Sequence, residues 1–442
     1  MSAEAAQPEA ERPARFRWLP PGLRPPVPMV FRQEQVFLLV GIAALFAGYD
    51  VSVYGLAVPK IQASLHIPED QVGLTITYFR LATFVAMPMV ALADVVGRRR
   101  VLLFTVFGQA LATLATGFAQ NYPQFVWMQV FTRFFGYCEE MLIWVVIAEE
   151  VSAAARGWAN GTLSAMYYVG TGIASAIYAG VTILPGGWRA IYVIGSIPLF
   201  LVAFLRRRLP ETKRFEVRDA EIHRLSSRVS AGFDLLRHLM RDYPRRLILI
   251  LAVAGIFGFA TAPAFYLSAM YLQTGLGYAS WQTTLLLIPG GFAGLGLSIL
   301  TGRLSDRIGR RLTIGLTGLI ALGAFAAFYG GTHGAVAAIA WILGSYAFFS
   351  TDALISGFAT EIVPTAYRAT VSGLRYAAEI GLGAISLALE GMLYDHFGAH
   401  GPAMLVLLTG LPLALVLLPL LPEPAGRSLE DVSEIASEGF RS

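Results

Sequence analysis

Twelve apolar stretches divide this chain of 442 residues. Each has about the 20 residues that an α-helix needs to cross a bilayer. They run over 35–59, 72–93, 100–119, 123–148, 158–183, 190–206, 246–273, 280–302, 311–330, 334–360, 369–394 and 402–421. Backbone in hydrocarbon must satisfy its own hydrogen bonds, so such stretches fold as helices packed on helices. The composition agrees. Hydrophobic residues make up 56% and charged residues 14%, too apolar for a water-soluble domain. Cys138 is the one cysteine, which excludes a disulfide framework and a thiolate metal cluster.

The placement of Lys and Arg predicts orientation. Of 33 such residues, 28 fall in alternate connections and the two termini, on one side of the twelve stretches. Only Lys60 and Arg189 fall on the other side, and Arg80, Arg133 and Arg375 lie inside spans. Both termini are therefore expected in the cytosol, with the chain multi-pass in the cell's inner (plasma) membrane. The first thirty residues have no apolar signal-peptide core, so no cleaved leader is expected. The same placement removes nucleic acid as a partner, because the basic residues follow membrane topology and form no separate patch. The expected organisation is a cytosolic tail (1–34), six helices (35–206), a charged cytosolic linker with amphipathic helices (207–245), six more helices (246–422) and a cytosolic tail (423–442).

The two sets of six are repeats at a constant offset of 212 residues. Asp94, Gly97, Arg98 and Arg99 map onto Asp306, Gly309, Arg310 and Arg311. Glu149 and Arg156 map onto Glu361 and Arg368, and "LPE" at 209–211 onto "LPE" at 421–423. Parallel repeats of this kind occur in transporters whose halves are related by an axis along the membrane normal.

The motifs within the repeat are specific. "GRLSDRIGRR" (302–311) lies between the eighth and ninth stretches, "VALADVVGRR" (90–99) between the second and third, and "EIVPTAYRATVSG" (361–373) after the tenth. "LPETKRF" (209–215) and "LPEPAGRSLEDV" (421–432) end the two halves. On these segments the chain resembles the major facilitator superfamily, over about residues 35–432. The resemblance implies an all-α membrane protein with twelve transmembrane helices in two pseudo-symmetric six-helix halves. It also implies a cytosolic latch. Gly97 and Gly309 make the tight turn, while Asp94 and Asp306 face helix N-termini or guanidinium groups. Arg98, Arg99, Arg310 and Arg311 engage acidic partners, and Glu361 and Arg368 belong to the same gating network. The first copy departs at Val90 and Val95, where the family has glycine and a basic residue.

Charges inside the spans raise the question of function, because isolated ones cost roughly 2.5–3.5 kcal/mol even on insertion scales. "TRFFGYCEEMLIWVVIAEE" (132–150) places Glu139 and Glu140 side by side in an apolar segment. Neighbours on a helix point about 100° apart, so both cannot face one surface. Glu140 shares a stripe with Arg133 and Trp144, and its repeat partner is Asp352; Glu139 maps onto neutral Thr351. In the family, helices 1, 4, 7 and 10 line a central cavity, so Glu140 and Asp352 are expected to face one another across it. Glu139 is expected to face helix 2 or 5 in a structural role. Candidate proton-coupling residues are Glu140, then Asp50 and Asp352, then Glu139. Arg80 and Arg133 can hold an anionic group of a substrate. Tyr49, Tyr54, Trp144, Tyr266 and Trp341 can stack on a ring-bearing solute. Arg375 and Glu379, an i,i+4 pair, are expected to be a structural ion pair. Glu390, near the outer end of its span, is expected to be solvated.

The reading is a secondary active transporter, expected to be monomeric and cofactor-free, that moves a small organic solute by alternating access. Proton-coupled symport of an organic, conceivably aromatic, acid leads on the two arginines and the family motifs. A proton-coupled sugar porter is the alternative, favoured by "GYD" (48–50) and the paired "LPE" endings, although the seventh stretch lacks paired glutamines. Multidrug efflux stands lower, since the fifth stretch lacks the Gly-Pro antiporter pattern. A membrane sensor without flux is the reading outside transport. An enzyme is not expected: His-Glu-x-x-His and Gly-x-Ser-x-Gly are both missing from the sequence, and the six histidines fall in loops or at span ends. The latch reading makes a direct prediction. Asp306→Asn, in the complete motif copy, should lower the rate of solute flux at matched expression more than Asp94→Asn does. Equal or reversed effects count against the latch.

Overall fold

The computed structural model describes residues 16, 24–25, 27–96, 98–151, 153–207, 237–364 and 367–423. Most of the linker expected at 207–245, and the C-terminal tail beyond Glu423, lie outside the described residues. The fold is all-α. In chain order the helices are α1 (Phe31–Leu65), α2 (Asp70–Val96), α3 (Arg98–Thr116), α4 (Tyr122–Glu150), α5 (Ala153–Ala179) and α6 (Trp188–Arg206), followed by α7 (Pro244–Tyr266), α8 (Ser280–Ile308), α9 (Arg310–Tyr329), α10 (Gly334–Glu361), α11 (Arg368–Phe397) and α12 (His400–Leu408). The chain continues in line with α12 through Gly410–Leu417 and Leu418–Leu420. Among the described residues, eight of these segments are long and apolar enough to cross a membrane.

Several helices carry an internal proline: Pro59 in α1, Pro88 in α2, Pro198 in α6 and Pro289 in α8. Membrane helices tolerate this because neighbouring groups satisfy the freed carbonyls. Past α7 the chain loosens into a π-helical turn over Tyr271–Gly275, where the N–H of Leu276 donates to the Tyr271 carbonyl at 3.0 Å.

The chain forms two compact units, one of Met1–Tyr54 with Ala82–His223 and one of Gly55–Leu81 with Arg224–Ser442. In the first unit α3 packs on α4 and α6. Phe37, Val40, Leu142, Ile143, Val146 and Leu163 form a buried core, and Phe37 stacks on Trp158 with ring centroids 4.8 Å apart. A Cβ on Gly170 would collide with the Leu45 carbonyl, so α5 meets α1 backbone to backbone. In the second unit α7 packs along α11, and α10 lies against α8 and α9. Large apolar side chains such as Phe107, Leu111, Ile197, Leu319, Val336 and Val416 stay exposed on the outside, as a lipid-facing surface requires.

Candidate functional site

Two separate ion pairs lie buried in the first unit among the described residues. In one, Arg133 on α4 donates to Asp50 on α1 twice, to the carboxylate at 3.0 Å and to the main-chain carbonyl at 3.1 Å. Both residues are buried. In the other, Glu139 accepts from Arg206 at the end of α6 and from the Thr105 hydroxyl on α3, the latter at 2.8 Å. Glu139 thus meets α3 and α6, where the sequence pointed to α2 or α5. Arg206, counted from the sequence among the cytosolic charges, is fully buried because the last turn of α6 carries it back into the helix packing.

The repeat explains what this second pair is for. Thr105 maps onto Thr317 and Glu139 onto Thr351, and Thr351 donates to Thr317 at 2.8 Å. Arg206 maps onto Leu418, so the second half solves the same helix contact without charge. Glu139 and Arg206 thus form a charged version of a junction that is neutral in its copy. Glu140, the next residue, differs. It is half-buried, Arg133 is its electrostatic neighbour, and no hydrogen bond or ion pair reaches its carboxylate among the described residues.

The second unit gathers a larger charged cluster. Arg375 on α11 contacts Asp352 on α10 at 2.9 Å and Glu379, one turn along α11, at 2.5 Å. The i,i+4 pair expected from the sequence is thus a triad. Glu379 also feels the charge of Arg80 on α2. Arg80 is 8% exposed. Its guanidinium lies over the Tyr266 ring at 5.0 Å and occupies the space a side chain on Gly383 would need. Its Nη1 is buried with no hydrogen-bond partner. A buried donor left unsatisfied costs about 1–3 kcal/mol or more for a charged group; Arg206 and Arg375 also have an unsatisfied Nε but are held by carboxylates, whereas Arg80 makes no ion pair among the described residues.

The aromatic candidates divide. Tyr49 donates to the Ile191 carbonyl at 2.8 Å, Tyr54 stacks on Phe125, and Trp341 donates to the Leu287 carbonyl at 3.2 Å while stacking on Phe265. All three are buried packing groups. Tyr266 stands against Arg80. The Trp144 side chain lies outside the described residues.

At the second copy of the repeated loop motif, Gly309 adopts φ +101, a conformation that favours glycine, and turns α8 into α9. Arg310 holds Glu361 with both prongs of its fork, at 2.9 and 3.0 Å. Glu423, from the "LPE" ending, accepts from the backbone N–H groups of Arg310 and Arg311 at 2.9 and 3.0 Å. A carboxylate at a helix N-terminus meets both free N–H groups and the helix dipole. The sequence signalled Glu423 only as part of a motif, with no role attached. Arg311 donates to the Pro419 carbonyl at 3.0 Å, and its repeat partner Arg99 donates to the carbonyl of Arg207, the repeat partner of Pro419, at 2.5 Å. Arg368 donates to the Thr360 carbonyl at 3.1 Å. Gly97 and the side chains of Asp94, Arg98 and Asp306 lie outside the described residues.

One expectation fails outright. Glu390 is fully buried, not solvated: α11 runs on to Phe397, and His400 at the start of α12 folds over Glu390 and contacts it at 2.7 Å.

Paired helices, buried ion pairs and a charged motif repeated in both halves define a membrane carrier of the twelve-helix type. A model of the Major Facilitator Superfamily matches residues 40–386, and the chain belongs to that family. A probable 4-methylmuconolactone transporter of Cupriavidus pinatubonensis is 26% identical over 398 residues, covering 87% of this chain and 90% of the relative. A cis,cis-muconate transport protein of Acinetobacter baylyi is 23% identical, covering 77% and 82%. Among solved structures, the inward-open xylose transporter of E. coli superposes with a TM-score of 0.73 at 18% identity, covering 91% of this chain and 99% of that one; this likeness shows the fold.

The repeat predicts how the Glu139–Arg206 pair behaves. Glu139→Thr alone, or Arg206→Leu alone, leaves one charge buried without its partner, a cost of about 3–5 kcal/mol. The double variant copies the second half's Thr351 and Leu418 and should recover most of the loss in thermal stability of the purified protein. If the double variant is as unstable as either single one, the pair has a role the repeat does not describe.

Proposed function

We propose that this protein is a proton-coupled symporter of a small organic acid, working by alternating access. The observation that carries the reading is Arg80: buried, over an aromatic ring, with no ion pair and an unsatisfied donor among the described residues. A carboxylate with an attached unsaturated or ring system matches both features, the acid meeting Nη1 and the π-system lying along Tyr266. Relatives described as transporters of muconate, 4-methylmuconolactone and gallate fit the same class of solute. Arg133 commits its fork to Asp50, so we assign it to holding α1 and α4 together rather than to the solute.

Charge balance supports the coupling. Arg80, Arg375, Asp352 and Glu379 are two cations and two anions in apolar surroundings. Adding a substrate anion leaves one negative charge in excess, and one proton restores neutrality. Burial of uncompensated charge is costly, so anion and proton favour each other's binding. Glu140 lies in the first unit and outside this count; it is the proposed carrier because, among the described residues, no ion pair holds its carboxylate, so it can change charge without breaking one. Asp352, bound to Arg375, and Asp50, bound to Arg133, are its rivals.

Two measurements on reconstituted protein test this. Arg80→Lys keeps the charge and loses the planar fork, so counterflow of an acidic solute such as muconate should need about tenfold more substrate, equivalent to about 1.4 kcal/mol. Arg133→Lys should chiefly lower thermal stability. A transported solute that proves neutral or cationic removes Arg80 from this role. Glu140→Gln should abolish accumulation driven by an imposed pH gradient while sparing downhill exchange. If accumulation persists, the proton is carried at Asp352 with Glu379, or at Asp50.

A further inference from the structure

A second cluster of ionisable groups lies outside the proposed transport site, where the loop between α1 and α2 meets α11 and α12. His400, the first residue of α12, is buried and has a carboxylate on each ring nitrogen. Glu390 of α11 lies 2.7 Å from Nδ1, and Glu69 of the loop lies 3.4 Å from Nε2. Glu69 is also held by Gln62 of α1. Burial alone would push its carboxyl up, and the contacts with His400 and Gln62 hold it below the ordinary carboxylate range. The His400 ring stacks on Tyr394 at 4.4 Å between centroids. The remaining titratable neighbours are Tyr329 of α9, which faces Glu390, Tyr271 of the π-turn, which faces Tyr329, and Asp395 of α11 beside Tyr394. The cluster contains no lysine or arginine among these neighbours. Among these described neighbours, His400 is the group able to carry positive charge.

The chemistry of imidazole makes this cluster sensitive to protons. A neutral ring offers one N–H donor, and an imidazolium offers two. Two acceptor carboxylates on opposite nitrogens are both satisfied only by the protonated ring. What the cluster ties together can also separate. Below it α2 and α11 approach backbone to backbone at two glycines: a Cβ on Gly73 would collide with the Leu387 carbonyl, and one on Gly391 with the Asp70 carbonyl. Thr77 donates across the seam to the Ala384 carbonyl at 2.8 Å. At Gly73 and Gly391 the helices meet with no side chain between them, and the His400 charges supply a hold at the end of that seam.

We propose that His400, Glu390 and Glu69 form a proton-binding clasp that fastens the outer ends of α1 and α2 to α11 and α12. The clasp closes when His400 carries a proton. It loosens when the proton leaves, because the contact to Glu69 loses its donor while the shorter one to Glu390 persists. A proton arriving at this end therefore favours the closed arrangement, a direction consistent with symport. The transport consequence rests on the alternating-access reading; the clasp itself does not.

The test reads the clasp without any solute, so its failure is distinct from a failure of the transport reading. In a Cys138→Ser background, spin labels are placed through Lys60→Cys and His396→Cys, and inter-label distances are measured in liposomes from about pH 5.5 to about pH 9. A single short distance should dominate at low pH. A longer one should grow as pH rises, the ratio changing by at most about tenfold per pH unit for one proton. Glu69→Gln, at a half-exposed loop position, and His400→Gln should each flatten that dependence. Should His400→Gln fail to fold, Glu69→Gln decides alone. A pH-independent distance in the parental protein, or an unchanged pH dependence in Glu69→Gln, overturns the proposal.

Discussion

Charge at membrane depth must be matched by charge or hydrogen bonds within the protein, because lipid supplies neither. The interior of this protein is organised around that requirement. Asp50 joins α1 to α4 through Arg133, and Glu139 joins α4 to both α3 and α6 through Arg206 and Thr105. Arg375 joins α10 to α11, and His400 joins the α1–α2 loop to α11 and α12. Each pair costs desolvation of two ions and returns a fixed helix register. Helices that would otherwise slide on apolar faces are pinned at these points.

The exceptions carry the functional reading. Among the described residues Arg80 makes no ion pair and retains a buried donor without an acceptor, and no hydrogen bond or ion pair reaches the Glu140 carboxylate. Asp50, Arg133, Glu139, Arg206, Asp352, Arg375 and Glu379 are tied in ion pairs, and in the proposed function the untied groups are the ones that take a partner as a solute or proton arrives. The charged triad around Arg375 lies close enough for Glu379 to feel Arg80, so occupancy of one alters the electrostatics of the other.

The repeat gives a second view of the same logic. Arg99 and Arg311 make equivalent contacts to the chain after α6 and α12, and Thr105–Glu139 is answered by Thr317–Thr351. At the Glu139 junction the first copy is charged and the second is neutral. The Glu139 junction shows that a buried ion pair can be a structural variant of a hydroxyl–hydroxyl contact. The Arg310–Glu361 and Arg311–Glu423 contacts show that the second motif copy clamps the start of α9 from two directions.

The sequence by itself determined the twelve helices, the twofold repeat and the family. These follow from apolar length, Lys and Arg placement and spacing along one chain, which need no knowledge of neighbours. It also singled out Glu140, Asp352 and Arg80 as charges in the wrong solvent. Helical periodicity, however, fixes only the direction a side chain leaves its own axis. Whether Glu139 meets α2, α3, α5 or α6, whether Arg206 stays cytosolic or turns inward, and whether Glu390 is wet or capped by His400 depend on which helix lies alongside and in what register. Glu423, 113 residues from Arg310, acquires its role only when the end of the chain returns to the start of α9. Those choices belong to tertiary packing, because the cost of burying a charge depends on the group that stands opposite it.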